Sequence, residues 1–468
     1  MAALIRQIPA PLHPSDAQIR RQEAEAAEWH FCPLTRDRMV HINQLAADYY
    51  QARFPGSWSQ RYLTERLRTD LTGHPQIRPG HAPAGWTHLV HHLRRAGVTD
   101  DEMLLAGVAS QASTGRLIDR FRDRLVLPIV TEGDILGFVA RRHPDHDHAG
   151  PKYLNTPETP LYKKSNQLYG QMPTGAADHL VPTVVEGPLD ALAINIAAGR
   201  THLGLATLGT ALTAEHAHHL ATFTQAPIIA TDADPAGLHA AERAYWHLTP
   251  HRLAPRYARW AAGADPAATL HQHGPARVAA TLTHAIDLAE HLINQRHDIL
   301  PAAQADRASL PVLAAADPTW WDRVPAGLLS DFATLVEAWD RDPRAAADHQ
   351  LANANRIKKQ IDNWHQLTPE QRWTPLLTHV DHRVIDTPAW PAIATRLDAL
   401  HTQGIDVHHA AAAAAAPFNN HSPRAAADGI RAELGQLIES HTEPTPARTR
   451  TAHTESSSLA HRPPSPIR

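Results

Sequence analysis

The 468-residue chain contains a single cysteine, Cys32, and this scarcity excludes two kinds of stabilising chemistry. One cysteine cannot form an intramolecular disulfide or a four-cysteine zinc site. His30 and Cys32 would supply two zinc ligands, but no second pair follows at zinc spacing. We therefore interpret Cys32 as a plain buried thiol and expect no bound zinc.

The chain also lacks long apolar runs and a strong charge imbalance. It has no run of about 18 apolar residues, and Met1 to Leu12 shows no small-residue cleavage pattern, so we expect a cytoplasmic protein without membrane spans. Lysine plus arginine number 44 against 48 aspartate plus glutamate, so contacts with nucleic acid must come from local patches. Hydrophobic residues make up 43% of the chain, which is enough to bury globular cores.

Apolar periodicity divides the chain into regions of different predicted structure. Helical periodicity marks the N-terminal part, and two apolar runs around a Gly133-Asp134 turn predict a β-hairpin over Leu125 to Ala140. From Leu180 to Trp260, strand-like runs alternate with helical ones, which is typical of an α/β fold with a doubly wound, mostly parallel sheet. The regions that we predict are an N-terminal helical part (1–115), an α+β segment (116–175), the α/β domain (176–280), a helical C-terminal region (281–442) and a disordered tail (443–468).

Two predicted strands of the α/β domain end directly in acidic motifs. Glu186 follows the strand Val181 to Val185, and Asp190 lies in the next helical turn. Asp232 and Asp234 follow the strand that ends at Thr231. Open α/β sheets place their ligand sites at the carboxyl ends of strands, so these four carboxylates are expected to face one place.

Carboxylate oxygens clustered in this way suit Mg²⁺ or Mn²⁺, which complete their coordination with substrate phosphates and water. In a two-metal site, ions roughly 3.5 to 4 Å apart stabilise the attacking and leaving oxygens of a phosphoryl displacement. In the alternative interpretation, Asp190 and Asp232 only cap helices and Glu186 is a solvated loop residue.

The two acidic motifs, in this order, resemble the Toprim domain, the nucleotidyl-transfer or strand-cleavage module of bacterial primases, topoisomerases and nucleases. The resemblance extends from about Val181 to Asp265 and includes the connecting segment 208–213. It implies a Toprim fold, with Glu186, Asp232 and Asp234 as catalytic residues. It also implies a metal-ligand set formed by Glu186, Asp190, Asp232, Asp234 and Asp265 around two Mg²⁺ or Mn²⁺ ions.

Three stretches upstream of the Toprim motifs indicate which member of the Toprim group this is. They cover residues 119–124, 151–159 and 161–170. In this order, they resemble the basic subdomain of bacterial DnaG-type primases. The resemblance implies that template or nucleotide is contacted by Arg122, Lys152, Tyr153, Asn155 and Lys164.

The alternation of Arg120, Arg122 and Arg124 adds a physical argument. In an extended segment, these guanidiniums would lie on one side and grip phosphates. An edge strand in which Asp119 and Asp123 pair with the arginines is an equally good explanation. Tyr153 is expected to stack on a base whatever its identity.

Several features depart from the family pattern. The second hairpin strand ends in Gly137-Phe138-Val139-Ala140-Arg141 instead of a glycine-rich sequence, and Pro188 replaces an aromatic residue. The third acidic motif reads Asp265-Pro266-Ala267, so one carboxylate is missing. No zinc-binding domain like that of the family is recognised before the core. The chain has no Gly-x-x-x-x-Gly-Lys-Ser/Thr loop, which excludes a fused helicase motor.

We therefore expect a DNA primase, a nucleotidyltransferase that makes short RNA primers on single-stranded DNA from nucleoside triphosphates. The segment 390–407 loosely resembles modules of actinobacterial conjugation proteins, so the possible partners include conjugation or other mobile-element proteins as well as a replicative helicase. One alternative is a Toprim nuclease or topoisomerase-like DNA-cleaving protein, although no tyrosine follows Tyr257 to attack a strand. Another is a non-catalytic DNA-binding accessory of replication or conjugation.

Overall fold

The computed structural model describes residues 29–146, 150–170, 179–317, 320–324, 326–342, 344 and 346–442. The predicted disordered tail, 443–468, lies outside these residues. These described residues divide into two compact units, the first within Met1–Trp320 and Asp331–Lys359 and the second within Trp321–Ser330 and Gln360–Arg468.

The N-terminal part of the first unit is mainly helical, as predicted, but it also contains short strands. Its elements are α1 (Arg36–Gln51), α2 (Trp58–Leu67), β1 (Gly80–Ala82), α3 (His88–Arg95), α4 (Asp100–Leu105) and β2 (Ala109–Gln111). The sequence did not predict β1 and β2, because three residues are too few to show an alternating pattern. Gly97, with a left-handed φ of 76°, follows the end of α3 and separates it from α4.

The predicted hairpin is confirmed as the centre of an antiparallel sheet. The strands that follow are β3 (Leu117–Asp119), β4 (Arg124–Thr131), β5 (Asp134–Arg142) and β6 (Tyr153–Asn155). The turn between β4 and β5 consists of Glu132 and Gly133, one residue earlier than the predicted Gly133-Asp134, and their φ values of 52° and 93° are those of a two-residue hairpin turn. The sheet has the order β1-β4-β5-β6, and β3 pairs separately with β2.

The α/β domain contains the predicted, mostly parallel sheet. Its strands are β7 (Val181–Val185), β8 (His202–Ala206), β9 (Ile228–Ile229), β10 (Arg256–Tyr257) and β11 (Ile286–Asp287), in the spatial order β11-β10-β9-β7-β8. Its helices are α5 (Pro188–Ala198), α6 (Ala214–Ala221), α7 (Pro235–Leu248), α8 (Pro266–His273) and α9 (Pro275–Thr283). Among the described strands of this sheet, only β11 is antiparallel to its neighbour. This edge strand extends the sheet beyond residue 280, where the sequence placed the end of the domain.

The remaining described chain is helical, as predicted. It forms α10 (Leu288–Ile299), α11 (Ala302–Ala316), α12 (Ala326–Arg341), α13 (Asp348–Gln366), α14 (Pro369–Asp381), α15 (Trp390–Thr402), α16 (Val407–Ala415) and α17 (Pro423–Thr442). The second unit has its own core, in which Trp364 meets Trp373 edge to face at 5.6 Å. None of the described helices combines the length and apolarity that crossing a bilayer requires.

Candidate active site

The acidic motifs meet at the carboxyl edge of the parallel sheet because the strands that precede them are neighbours. Strand β7 pairs in parallel with β9, so the loops after both strands emerge on the same side. The backbone N–H of Asp232 donates to Oε1 of Glu186 at 3.4 Å. Asp190 lies in the first turn of α5, which follows Glu186. The structure thus places both predicted acidic motifs beside each other.

The turn from Asp232 into α7 depends on Gly237. Asp234 is the N-cap of α7, and its Oδ1 accepts from the N–H of Gly237 at 2.7 Å. A Cβ added to Gly237 would lie 2.1 Å from the carbonyl oxygen of Asp232. Since no side chain fits in this space, glycine holds the backbone of Asp232 close to the start of α7.

Asp265 joins the same cluster from the loop before α8, and it has two further partners. It is the N-cap of α8 and accepts from the N–H of Ala268. Nη2 of Arg66, on α2, donates to both of its carboxylate oxygens at 2.9 Å. The N–H of the fully buried Ala267 donates to Oδ1 of Asp190 at 3.2 Å. The third motif therefore contacts the site through its backbone, while its one carboxylate is already paired.

The negative charges of the acidic cluster are not fully compensated by neighbouring positive groups. Burial raises the pKa of Asp190 to about 8, and the charges of Asp265 and Asp232 add to the increase. Burial also raises the pKa of Asp232 to about 6, with the neighbouring carboxylates, Glu186 first, adding to it. Carboxyl groups in this condition favour either a proton or a cation.

Without divalent cations, we expect the protein to lose stability as the pH rises from about 4 to about 8. A carboxyl group whose pKa is raised by folding stabilises the fold below its unfolded pKa, and the contribution is lost as the pH rises through the folded pKa. Asp190→Asn removes the charge and should raise Tm at pH 8 in EDTA by about 1–2 °C, because 1 kcal/mol shifts Tm by about 2–4 °C in a domain of 150–250 residues and by less in a larger one.

The control for this prediction is Asp100→Asn, because Asp100 pairs with Arg94 and its pKa is lowered instead. That variant should gain no stability at pH 8. A pH-independent Tm of the cation-free wild type, or no gain in Asp190→Asn, would show that the buried carboxylates of the cluster do not destabilise the fold when they ionise.

The residues present fit Mg²⁺ or Mn²⁺ in ligand type. Glu186, Asp190 and Asp232 are hard oxygen donors. Burial and the neighbouring carboxylates raise the pKa of Asp190 and Asp232, so a cation placed between them would be favourable. No group of three His, Cys, Asp or Glu side chains within the described ranges is arranged as a ready-made metal cage. Such an open arrangement is usual for Mg²⁺, which is held by one or two carboxylates together with substrate phosphates and water.

A basic and aromatic wall, formed by Tyr62, Arg141, Lys152 and Tyr153, lies beside the carboxylates. Nη1 of Arg141 contacts the hydroxyl oxygen of Tyr153 at 3.0 Å, and its guanidinium lies 5.1 Å from the ring centroid of Tyr62. The charge of Lys152 opposes the increase in the pKa of Asp232. Lys152 and Tyr153 thus lie near the acidic motifs, and their contact with template or nucleotide stays a prediction.

Sequence reasoning missed Arg66, Arg141 and Tyr62. Arg141 had a local signal, because it stands at the end of the hairpin strand and its partner across the sheet is Tyr153. Arg66 had none, since the aspartate that it binds lies 199 residues further along the chain.

The prediction that Arg120, Arg122 and Arg124 line one side of an extended segment is wrong. Asp123 has a left-handed φ of 49°, and β4 begins only at Arg124. The guanidinium of Arg120 donates to the carbonyl oxygen of Asn155 at 2.8 and 3.0 Å. The guanidinium of Arg124, which is 5% exposed, donates to the carbonyl oxygen of Pro151 at 3.1 Å. These two arginines therefore brace the chain around β6 instead of presenting charge to phosphates.

The alternative of arginines paired with Asp119 and Asp123 is also wrong. Asp119 accepts from the N–H groups of Leu89 and Val90, both at 2.9 Å, at the start of α3. Asp123 accepts from Nε1 of Trp58 at 2.7 Å. Both carboxylates are engaged in tertiary contacts that the local sequence does not reveal.

The other predicted nucleic-acid contacts are placed differently. Arg122 lies 4.5 Å from the ring centroid of Trp86, an exposed tryptophan that sequence reasoning did not single out. Nδ2 of Asn155 donates to the carbonyl oxygen of Leu208 at 2.9 Å, so this side chain holds the connecting segment. Lys164 is half-buried in a segment that contacts α6, where Oγ1 of Thr213 donates to the carbonyl oxygen of Ser165 at 2.7 Å.

Family models and solved structures match this architecture. The model of the DNA primase catalytic core, N-terminal domain, matches residues 49–174, and a Toprim-like model matches residues 183–270. The RNA polymerase domain of Mycobacterium tuberculosis primase DnaG is 32% identical with a TM-score of 0.54, and the match covers 61% of this chain and 96% of that domain. The chain belongs to the family of DnaG-type primase catalytic cores.

Two further matches extend the comparison. The DNA primase of Streptomyces coelicolor is 38% identical over 223 residues, which are 45% of this chain and 34% of that protein. The chain thus spans about a third of the length of this relative. A structure of the DnaG primase catalytic domain bound to single-stranded DNA is 28% identical with a TM-score of 0.51, covering 63% of this chain and 90% of that domain.

The missing carboxylate at Ala267 leads to a prediction about metal dependence. Ala267→Asp would add a carboxylate next to Asp190, and like charges placed together repel unless cations lie between them. We expect the variant to be less stable in EDTA. It should also need several-fold less Mg²⁺ for half-maximal primer synthesis, which corresponds to roughly 1 kcal/mol of additional metal-binding free energy. In the wild type, Mn²⁺ should support more activity than Mg²⁺, since Mg²⁺ demands near-ideal octahedral geometry.

Metal titrations of both proteins test this prediction. Ala268→Asp, one position further along α8, is the matched control and should leave the Mg²⁺ midpoint unchanged. Identical Mg²⁺ curves for Ala267→Asp and wild type, without a Mn²⁺ advantage, would remove this loop from metal binding.

Proposed function

We propose that this protein is a DNA primase, which synthesises short RNA primers on single-stranded DNA by divalent-metal-dependent nucleotidyl transfer. The observation that carries the proposal is the meeting of Glu186, Asp190 and Asp232 with the wall that contains Arg141 and Lys152. Carboxylates alone suit many metal-dependent reactions. A neighbouring basic wall is what a reaction between a polyanionic template and a triphosphate requires.

In this proposal, each group of residues has a separate task. Glu186, Asp190, Asp232 and Asp234 hold one or two divalent ions, which supply Lewis-acid stabilisation of the phosphoryl oxygens when bound. Arg141 and Lys152 bind triphosphate oxygens and orient the α-phosphorus toward the attacking hydroxyl. Asp265 is a ligand only if it exchanges its pairing with Arg66, so we place it at the edge of the metal site.

The template path is proposed to cross Trp86. An exposed indole beside the guanidinium of Arg122 offers a stacking surface and a phosphate partner, neither of which depends on base identity. The solved relative bound to single-stranded DNA supports a template of this kind. Helicase, conjugation or other mobile-element partners and a cytoplasmic location stay predictions.

One reaction separates primer synthesis from the alternatives. The protein is incubated with single-stranded DNA, four ribonucleotides and Mg²⁺ or Mn²⁺, and the products are resolved on a denaturing gel. Short RNA that requires the template supports a primase. Cleaved DNA without RNA would instead indicate a Toprim nuclease, and DNA binding without either product would indicate an accessory protein.

Lysine side chains give a second test of the proposal. Lys152→Ala and Lys164→Ala should each raise the nucleotide KM or weaken template binding about tenfold, because a charge-assisted contact contributes on the order of 1 to 3 kcal/mol. A lost phosphate contact should also make the salt dependence of DNA binding shallower. Lys359→Ala, on α13, is the control. Unchanged KM, affinity and salt slope in Lys152→Ala would remove that lysine from the mechanism, and the same holds independently for Lys164.

A further inference from the structure

A cleft opens next to the acidic cluster, on the side of α2. It encloses about 460 Å³ between α2, the loop after β5 and α8, and its lining combines the aromatic rings of Trp58, Tyr62 and His143 with the guanidiniums of Arg61 and Arg66 and the carboxylates of Glu65 and Asp145. Small-molecule sites typically enclose about 300–1,000 Å³. The space is therefore large enough for a nucleotide-sized ligand.

One wall of the cleft is aromatic and held in place. The ring centroids of Trp58 and His143 are 4.5 Å apart, and His146 stacks on His143 at 4.5 Å with an interplanar angle of 28°. Nε1 of Trp58 donates to Oδ1 of Asp123 at 2.7 Å, which fixes the indole. Aromatic side chains of this kind stack with a nucleobase whatever its identity.

Cations and a direct connection to the metal site complete the cleft. Arg61 is exposed, and Arg66 contacts Asp265 through Nη2 alone. No other partner of the Arg66 guanidinium is found in the described part of the chain, so Nε and Nη1 are available to phosphate oxygens. Tyr62 connects the two sites, since it lines the cleft and its ring centroid lies 5.1 Å from the guanidinium of Arg141 in the wall beside the carboxylates.

We propose that this cleft binds a second nucleoside triphosphate, the one that begins the primer. The proposal rests on the proposed function, because the first bond of a primer joins two free nucleotides. The 3′-oxygen of the first nucleotide bonds to the α-phosphorus of the second, and its proton passes to solvent. The bond from that phosphorus to the bridging oxygen breaks, and pyrophosphate leaves with the electron pair. A nucleotide in the cleft is adjacent to the carboxylates where this exchange takes place.

Two reactions distinguish the cleft from the rest of the active site. The first is dinucleotide synthesis from ATP and GTP on single-stranded DNA, which needs both nucleotide sites. The second is extension of a preannealed RNA primer, which needs only the site for the incoming nucleotide. His143→Ala and Arg61→Glu should raise the half-saturating concentration of the starting nucleotide about tenfold, the effect of losing one stacking or phosphate contact. Primer extension should stay at the wild-type rate.

The controls are His284→Ala and Arg277→Glu, exposed changes on and just after α9 that should alter neither reaction. Equal losses in both reactions, or weaker binding of single-stranded DNA alone, would assign the cleft to the incoming nucleotide or the template and overturn the proposal. Unchanged initiation in both cleft variants would also overturn it.

A wild type that makes RNA in neither reaction would refute the proposed function, and calorimetry then tests the cleft by itself. Titration of GTP into the full chain with Mg²⁺ should show a binding event that His143→Ala and Arg61→Glu both weaken. GTP binding that is the same in wild type and variants, or no GTP binding at all, overturns the proposal.

Discussion

Asp232→Asn is expected to reduce primer synthesis more than about a hundredfold, because even changes to the partners of metal ligands cost about 10–100-fold. Asp232 contacts Glu186 through its backbone N–H, and its carboxylate is the one whose pKa is raised to about 6 by burial and by the neighbouring acids. Asparagine has nearly the same shape and keeps the backbone contact, but it removes the charge that holds a divalent ion. The loss should therefore appear in kcat, while the affinity for single-stranded DNA stays near that of the wild type.

The same variant should be more stable than the wild type in EDTA, since the desolvated charge is gone. It should also gain less stability on addition of Mn²⁺. Asp287→Asn, at the exposed N-cap of α10, is the matched control because it changes a carboxylate outside the acidic cluster. An Asp232→Asn protein that makes primers at the wild-type rate would show that the metal assignment is wrong.

Gly237→Ala is expected to have a comparable effect on activity through the backbone alone. The added Cβ would lie 2.1 Å from the carbonyl oxygen and 2.9 Å from the carbonyl carbon and the nitrogen of Asp232. A backbone neighbour cannot rotate away as a side chain does, so the start of α7 and the Asp232 loop must move apart. A displacement of about 1 Å in a catalytic group costs on the order of a hundredfold in rate.

We expect this variant to remain folded but to lose at least about 1–2 °C in Tm, the shift that 1 kcal/mol causes in a protein of more than 250 residues. The loss of primer synthesis should be similar to that of Asp232→Asn. Gly327→Ala, on α12, is the matched control, because a Cβ there meets no atom within 4 Å. That change should leave synthesis unaltered and be neutral or stabilising, since alanine favours helix over glycine. Normal synthesis in Gly237→Ala would mean that the position of the Asp232 backbone does not matter for catalysis.

The elements that the sequence predicted well are those with a local pattern. The hairpin β4–β5 has two apolar runs around a glycine turn, and β7 with α5 and α7 show clear changes of hydrophobic period. The acidic motifs could be placed at one edge because parallel strands share a direction. Strands β1, β2 and β11 are two or three residues long, which is too short for a local pattern to reveal them. The pairing partners of β1 and β11 also lie far away in sequence.

The candidate site divides in the same way between local and tertiary information. Glu186, Asp190, Asp232 and Asp234 were predicted as a cluster, and the structure brings them together, although their role as metal ligands stays a prediction. The arginines at 120 and 124 were assigned to phosphate binding from their spacing. Their actual partners are carbonyl oxygens of β6 and the loop before it, which spacing along one segment cannot indicate.

The sequence by itself therefore determined the α/β class of the domain, the order of its acidic motifs and the chemistry of oxygen ligands, because each depends on neighbours within a few residues. Only the tertiary structure decided which cations face those ligands. Arg66 reaches Asp265 across 199 residues, and Arg141 reaches the hydroxyl of Tyr153 across a strand pair. The physical reason is that electrostatic partners are selected by distance in space, and chain folding brings together charges whose separation in sequence carries no signal.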